Sequence, residues 1–254
     1  MTTVTAPAEP ASGGYPVELV ARPLILPDGA VEGGANLVWQ RVSPGNESFS
    51  FVTAVPHVRF AAPGVELMGQ ASIGLYQTEQ GSPGMTVEIE RLQSIGAGLR
   101  HGISPDAAIG AVFEIRLPAT DFKSYNGRAV AAMKRHLGAR SAFELSGFAG
   151  ASRTTTAIPG LGSYEQDQLL GGCELRLQAQ LSPIVAAEAR TSVTLRKLLD
   201  QPPEADTTFV AQDHGVRLVA AVNRDVDLTA GFDVVESQFR VVLFTVGVVA
   251  RRLP

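Results

Sequence analysis

From about Val65 onward, one strand-length segment after another alternates apolar and polar residues. Residues 185–196 show the pattern cleanly. Val185, Ala187, Ala189, Thr191, Val193 and Leu195 fall on one side, and Ala186, Glu188, Arg190, Ser192, Thr194 and Arg196 on the other. A period of two marks a β-strand whose faces meet different surroundings, because successive side chains leave the pleat in opposite directions. The split recurs in 65–77, 107–117 and 167–181. In the last of these, Leu169, Cys173, Leu175 and Leu177 share one face, and Gln168, Glu174, Arg176 and Gln178 the other.

The pattern predicts strands at about 34–42, 48–60, 65–77, 86–101, 107–117, 127–137, 142–153, 167–181, 185–196, 209–222, 227–235 and 239–252. Tight turns at 102–106, 138–140, 182–183 and 223–225 alternate with longer links at 78–85, 118–126, 154–166 and 197–208. An even number of antiparallel strands, with short turns at one rim and long loops at the other, predicts an all-β fold: a transmembrane antiparallel up-and-down β-barrel of about twelve strands, over residues 30–254. Residues 126–143 also carry helix-favouring Ala, Met, Lys and Arg, a competing local preference. Residues 1–15 read as a flexible N-terminal segment. Residues 16–29 read as an extended Pro-rich leader, because Pro16, Pro23 and Pro27 forbid both a helix and a central strand. Such a leader docks against a barrel rim or enters the lumen.

Composition closes off several function classes. A net charge of −4, with no basic run beyond Arg251-Arg252, argues against nucleic acid as a partner. The single Cys173 makes neither an internal disulfide nor a zinc site. The longest apolar run, 241–250, falls well short of the ~20 residues of a membrane helix. The opening MTTVTAPAEPASGGYP has neither a basic nor an apolar leader region, and it reads as the start of a mature form. His57, His101, His136 and His214 fall on separate segments without metal-ligand spacing, so no metal is expected. His101 and Ser104 straddle a turn and Gly-x-Ser-x-Gly is absent, so no catalytic residue is expected. No Walker or dinucleotide fingerprint appears, and no cofactor is expected.

The candidate functional residues are the charges on the polar faces: Glu66, Glu88, Glu114, Arg116, Glu144, Glu174, Arg176, Glu188, Arg190 and Arg196. An acid repeatedly precedes a base by two positions, as in Glu114/Arg116, Glu174/Arg176 and Glu188/Arg190. Inside a barrel such residues line a lumen. Rings of charge set ion preference there. The mixed signs argue against strong selectivity for cations or anions, and the narrowness of a barrel of this size favours the plainer reading, interior salt bridges that stiffen or close the lumen.

Over roughly residues 30–253 the pattern resembles the porin-like outer-membrane β-barrel proteins of Gram-negative bacteria. The segment VARPLILPDG, residues 20–29, resembles one that precedes the barrel in some uncharacterised members. The resemblance implies an outer-membrane location with the bilayer as partner, turns on the periplasmic side and loops outside. It also implies passive passage of small polar solutes if the lumen is open, or a structural role if it is closed. Two features depart from the class: aromatics make up 6%, and the chain ends Arg-Arg-Leu-Pro without a terminal aromatic. Because a period of two does not say which face is outside, the alternative is a soluble β-barrel or sandwich that binds a small apolar ligand.

Overall fold

The computed structural model describes residues 15–43, 48–80, 92–117, 122–158, 162–199, 207–237 and 240–254. Among these, twelve strands form one closed antiparallel barrel: β1 (Val31–Ser43), β2 (Ser48–Ala62), β3 (Val65–Gln80), β4 (Leu92–Ser104), β5 (Ala107–Arg116), β6 (Phe122–Gly138), β7 (Ser141–Ile158), β8 (Gly162–Ser182), β9 (Val185–Leu198), β10 (Thr208–Ala221), β11 (Val226–Glu236) and β12 (Arg240–Arg252). Each strand pairs with its sequence neighbours, and β12 closes onto β1 from Val31↔Arg252 to Ser43↔Arg240. Closure leaves no unpaired edge, which a lipid environment requires because it offers backbone groups no water.

The helix preference of 126–143 loses to this closure. The segment divides between β6 and β7, which pair along their length from Phe122↔Thr156 to Gly138↔Ser141. Several strands run further than the alternation indicates. Residues 154–158 and 162–166, read from sequence as one long link, continue the ladder to Ile158↔Gly162. Beyond the apolar belt both faces meet polar surroundings, so the pairing persists while the period fades. Residues 86–91 and the centres of the other long links lie outside the described residues.

The two faces separate by polarity. Leu37, Leu67, Leu99, Phe113, Leu145, Leu177, Val216 and Val246 stand exposed on the outer wall. Their sequence neighbours Met68, Arg100, Glu144, Ser146, Arg176, Gln178 and Arg217 line an internal cavity. Cys173 is exposed on the outer side of β8. Apolar side chains facing outward all round and charges facing in is the reverse of a soluble barrel, and it overturns the small-apolar-ligand alternative. It is the arrangement of a barrel solvated by lipid. On the outer wall, Trp39 of β1, Phe244 of β12 and Phe232 of β11 form an aromatic row, with centroid separations of 5.5 and 4.9 Å. Phe209 belongs to the inward face, in register with Arg196.

Lipid exposure gives a direct stability prediction. Val246 sits midway along β12 and is 55% exposed. Val246→Arg places a charge in hydrocarbon and is expected to cost about 2–4 kcal/mol. Denaturant titration of the protein folded in vesicles reads this cost.

Candidate functional site: the lumen and its leader

The turn end of the barrel is filled by the chain's own leader. Residues 15–30 enter the lumen there, with a single 3-10 turn at Leu19–Ala21 between the prolines. The segment meets the barrel wall by backbone bonds. Leu24 donates its N–H to the Pro105 carbonyl at 2.9 Å, and Gly29 to the Ala61 carbonyl at 2.8 Å. The exit into β1 is a β-turn closed by Ala30 N–H to Pro27 O at 3.0 Å. Gly29 sits at its third position with φ +80°, a conformation that glycine reaches without a Cβ penalty. Leu26, Ala30 and Ala61 form a small buried apolar cluster, with Tyr15 and Leu253 packed against it.

Charge holds the rest of the leader. Arg22 makes two contacts with Asp227, at 2.5 and 3.0 Å. Asp227 also accepts from Arg251 at 2.6 Å, and Arg251 reaches Glu32 at 2.6 Å. Glu32 receives Arg59 at 3.0 Å, and Arg59 grips Glu66 at 2.8 Å. The fully buried Glu66 also accepts the Leu26 N–H at 3.1 Å and has Arg100 at 4.0 Å. The result is a continuous alternating chain from Arg22 to Arg100 that ties leader, β1, β2, β3, β4, β11 and β12 together. Lys134 gives its ammonium to the leader carbonyls of Leu19 and Arg22, at 3.3 and 2.8 Å. The Tyr15 ring lies beside Arg22 and Arg251, with guanidinium carbons 5.7 and 5.6 Å from its centroid. Burial pushes the Tyr15 phenol above its ordinary value, so the ring stays neutral at physiological pH.

Arg22→Ala leaves Asp227 to Arg251 alone and removes the leader's only side-chain ion pair among the described residues. The expected cost to leader docking is about 2–3 kcal/mol. Limited proteolysis of the folded protein reads it as faster cleavage within 15–29 over an intact barrel.

Above the leader lies a cavity of about 620 Å³. Of the residues singled out in the sequence, Glu144, Glu174, Arg176 and Glu188 line it. Glu66 sits at its base within the leader network. Two of the three spaced acid/base pairs bond along their own strand: Arg176 with Glu174, and Arg116 with Glu114 at 3.4 Å. The third divides across strands. Arg190 takes Asp213 and Asp233, at 2.9 and 2.8 Å, while Glu188 accepts from Gln178 at 3.2 Å with Arg217 at 4.0 Å. Arg196 faces inward on β9 toward the loop end and stands exposed. Glu88 lies outside the described residues.

Sequence reasoning missed Arg22, Glu32, Arg59, Arg128, Asp213, Arg217, Asp227, Asp233 and Arg251. All but Arg22 and Glu32 fall inside the predicted strands 48–60, 127–137, 209–222, 227–235 and 239–252, whose two faces the sequence reading does not assign. Their pairing, across separations such as 205 residues for Arg22 and Asp227, has no local signal. The histidines do not converge. His57 faces Gly34, His101 donates from Nδ1 to the Gly64 carbonyl at 2.7 Å, and His214 shares a hydrogen bond with Thr191 at 2.9 Å. Ser104 accepts the Asp106 N–H at 3.3 Å as part of a turn. Among the described residues no group of three His, Cys, Asp or Glu is placed to hold a metal. A second concavity, of about 780 Å³, lies on the outer wall over Ala179, Ala187, Ala189 and Ala230, where small side chains leave a recess open to lipid.

No protein-family model matches the chain, and no curated protein matches it by sequence. Solved structures do match in shape. An outer membrane channel from Pseudomonas putida F1 superposes with a TM-score of 0.66 at 15% identity, over 96% of this chain and 100% of that one. The β domain of the Bordetella autotransporter BrkA gives 0.56 at 12% identity, over 88% and 99%. The translocator domain of the autotransporter NalP from Neisseria meningitidis gives 0.52 at 14%, over 87% of each chain. The fold is that of the outer-membrane β-barrels of Gram-negative bacteria.

Proposed function

We propose that the protein is a porin-like channel of the outer membrane that passes small polar solutes by diffusion through its lumen. In this reading residues 30–254 form the conducting barrel, and residues 16–29 form a leader that restricts its turn end. One observation carries the reading: a cavity of about 620 Å³, walled by Glu, Gln, Ser and Arg side chains, inside a barrel whose outer wall is apolar. A lumen of this polarity holds water and lowers the barrier for a hydrated solute, whereas the surrounding hydrocarbon does not. A twelve-stranded barrel is narrower than the 16–18-stranded porins with wide aqueous channels, so the size limit is low.

The alternating ion-pair chain from Arg22 to Arg100 favours a second reading, a structural barrel closed at the turn end. Osmotic swelling of vesicles separates the two. Vesicles carrying the folded protein are expected to swell in a pentose, more slowly in a disaccharide, and hardly at all in a tetrasaccharide. Swelling in none of them, both with the leader and after its removal, would establish the closed barrel.

A further inference from the structure

We infer that the lumen prefers anions and that Arg128, laid on the ring of Phe148, is the docking point for a small organic carboxylate. The inference rests on the passage reading for its route and on separate geometry for its site. Eight cations and five carboxylates line the cavity, so its wall carries an excess of positive charge. A positive wall in a low-dielectric shell concentrates anions. Much of the charge is committed. Arg22, Arg59 and Arg251 are neutralised in the leader network, Lys134 serves backbone carbonyls, and Arg176 has Glu174.

Arg128 differs. Among the described residues no carboxylate pairs with it, although it faces the cavity. Its guanidinium carbon lies 5.4 Å from the Phe148 ring centroid. Two inward glycines make room for this arrangement. A Cβ at Gly150 would strike the Gly127 carbonyl and stand 2.9 Å from Arg128 Cγ, and one at Gly172 would strike the Val193 carbonyl and stand 2.7 Å from Phe148 Cζ. A guanidinium over a ring is held by the ring's quadrupole without a carboxylate partner, and its fork of N–H donors can receive a carboxylate through two parallel bonds. Val130, in register with Phe148 across the β6–β7 ladder, adds apolar surface beside the shelf. The site therefore suits a carboxylate joined to a compact apolar body, such as an aryl carboxylate.

The test uses benzoate and the full chain folded in detergent and lipid. In planar bilayers under a potassium chloride gradient, the reversal potential should show chloride preference, and benzoate should reduce the chloride current. R128Q should shift the preference several-fold toward potassium and weaken the benzoate effect about tenfold or more. R128K keeps the charge but loses the fork, so it should retain chloride preference with weak benzoate inhibition. Heat-modifiable gel mobility confirms that each variant is folded, and F148L, which removes the ring beneath Arg128, serves as a second probe should R128Q fail to insert. Equilibrium benzoate binding to the detergent-folded protein is measured in parallel. Conductance without chloride preference, or benzoate inhibition indifferent to R128Q and F148L, overturns the anion site and leaves the passage reading standing. Arg128-dependent benzoate binding without any conductance supports the site and removes the passage reading.

Discussion

Deleting residues 1–29 is expected to raise single-channel conductance several-fold. The turn end is where leader backbone and side chains occupy the lumen, and all their anchors lie on the wall or in the leader itself. The barrel closes through β1 and β12 without them, with paired residues from Val31↔Arg252 onward. Removal frees Lys134 from the Leu19 and Arg22 carbonyls and Gln180 from the Val20 N–H. It leaves Asp227 with Arg251, and Glu66 with Arg59 and Arg100. The wall charges therefore remain largely paired, and the barrel is expected to stay folded with a wider exit. Planar-bilayer recording of the full chain and the deletion compares the two. Equal conductance would show that the leader does not set the restriction.

The second large effect falls on stability. Glu66→Ala is expected to cost about 3 kcal/mol or more, because it strips a buried carboxylate from two guanidiniums that stay behind. The Glu66 side chain is fully buried, and its oxygens hold Arg59, the leader N–H of Leu26 and, at 4.0 Å, Arg100. Arg59 keeps Glu32, while Leu26 and Arg100 lose a carboxylate oxygen. Denaturant unfolding in vesicles, followed by gel mobility, reads the loss. Glu114→Ala near the loop end is the contrasting control. Its partner Arg116 is more than half exposed, so water replaces the lost contact at a cost of about 1 kcal/mol or less.

How much of this was legible in the sequence follows from which forces act locally. The barrel was, because each membrane strand must present lipid on one side and lumen on the other, and that demand writes itself into every second residue. In 185–196 the alternation separates Glu188 and Arg190 from Val193, and the structure turns the first two inward and Val193 outward. Strand ends were less legible. At residues 153–156 and 165–167 the side chains on both faces are polar, so backbone pairing continues without an apolar signature, as where Arg153 meets Asp167 at 2.7 Å. The three leader prolines announced a segment outside the ladder, but not where it goes. Its destination depends on Asp227, Glu66, Lys134 and Gln180, residues that come together only once twelve strands have closed. The Arg128–Phe148 shelf stayed hidden for the same reason. Phe148 looks like an ordinary strand aromatic until Gly150 and Gly172 are seen to make space around it.

Labelling of adjacent positions tests the central claim most directly. Leu145 stands exposed on the outer wall, and Ser146, its neighbour on β7, lines the internal cavity. In a Cys173→Ala background, Ser146→Cys and Leu145→Cys are folded into vesicles and treated with a charged, membrane-impermeant thiol reagent. A water-filled lumen inside a lipid-facing wall predicts fast modification at position 146 and protection at 145. Protection at 146 with fast modification at 145 would contradict the account, because it would put water outside the barrel and apolar surroundings within.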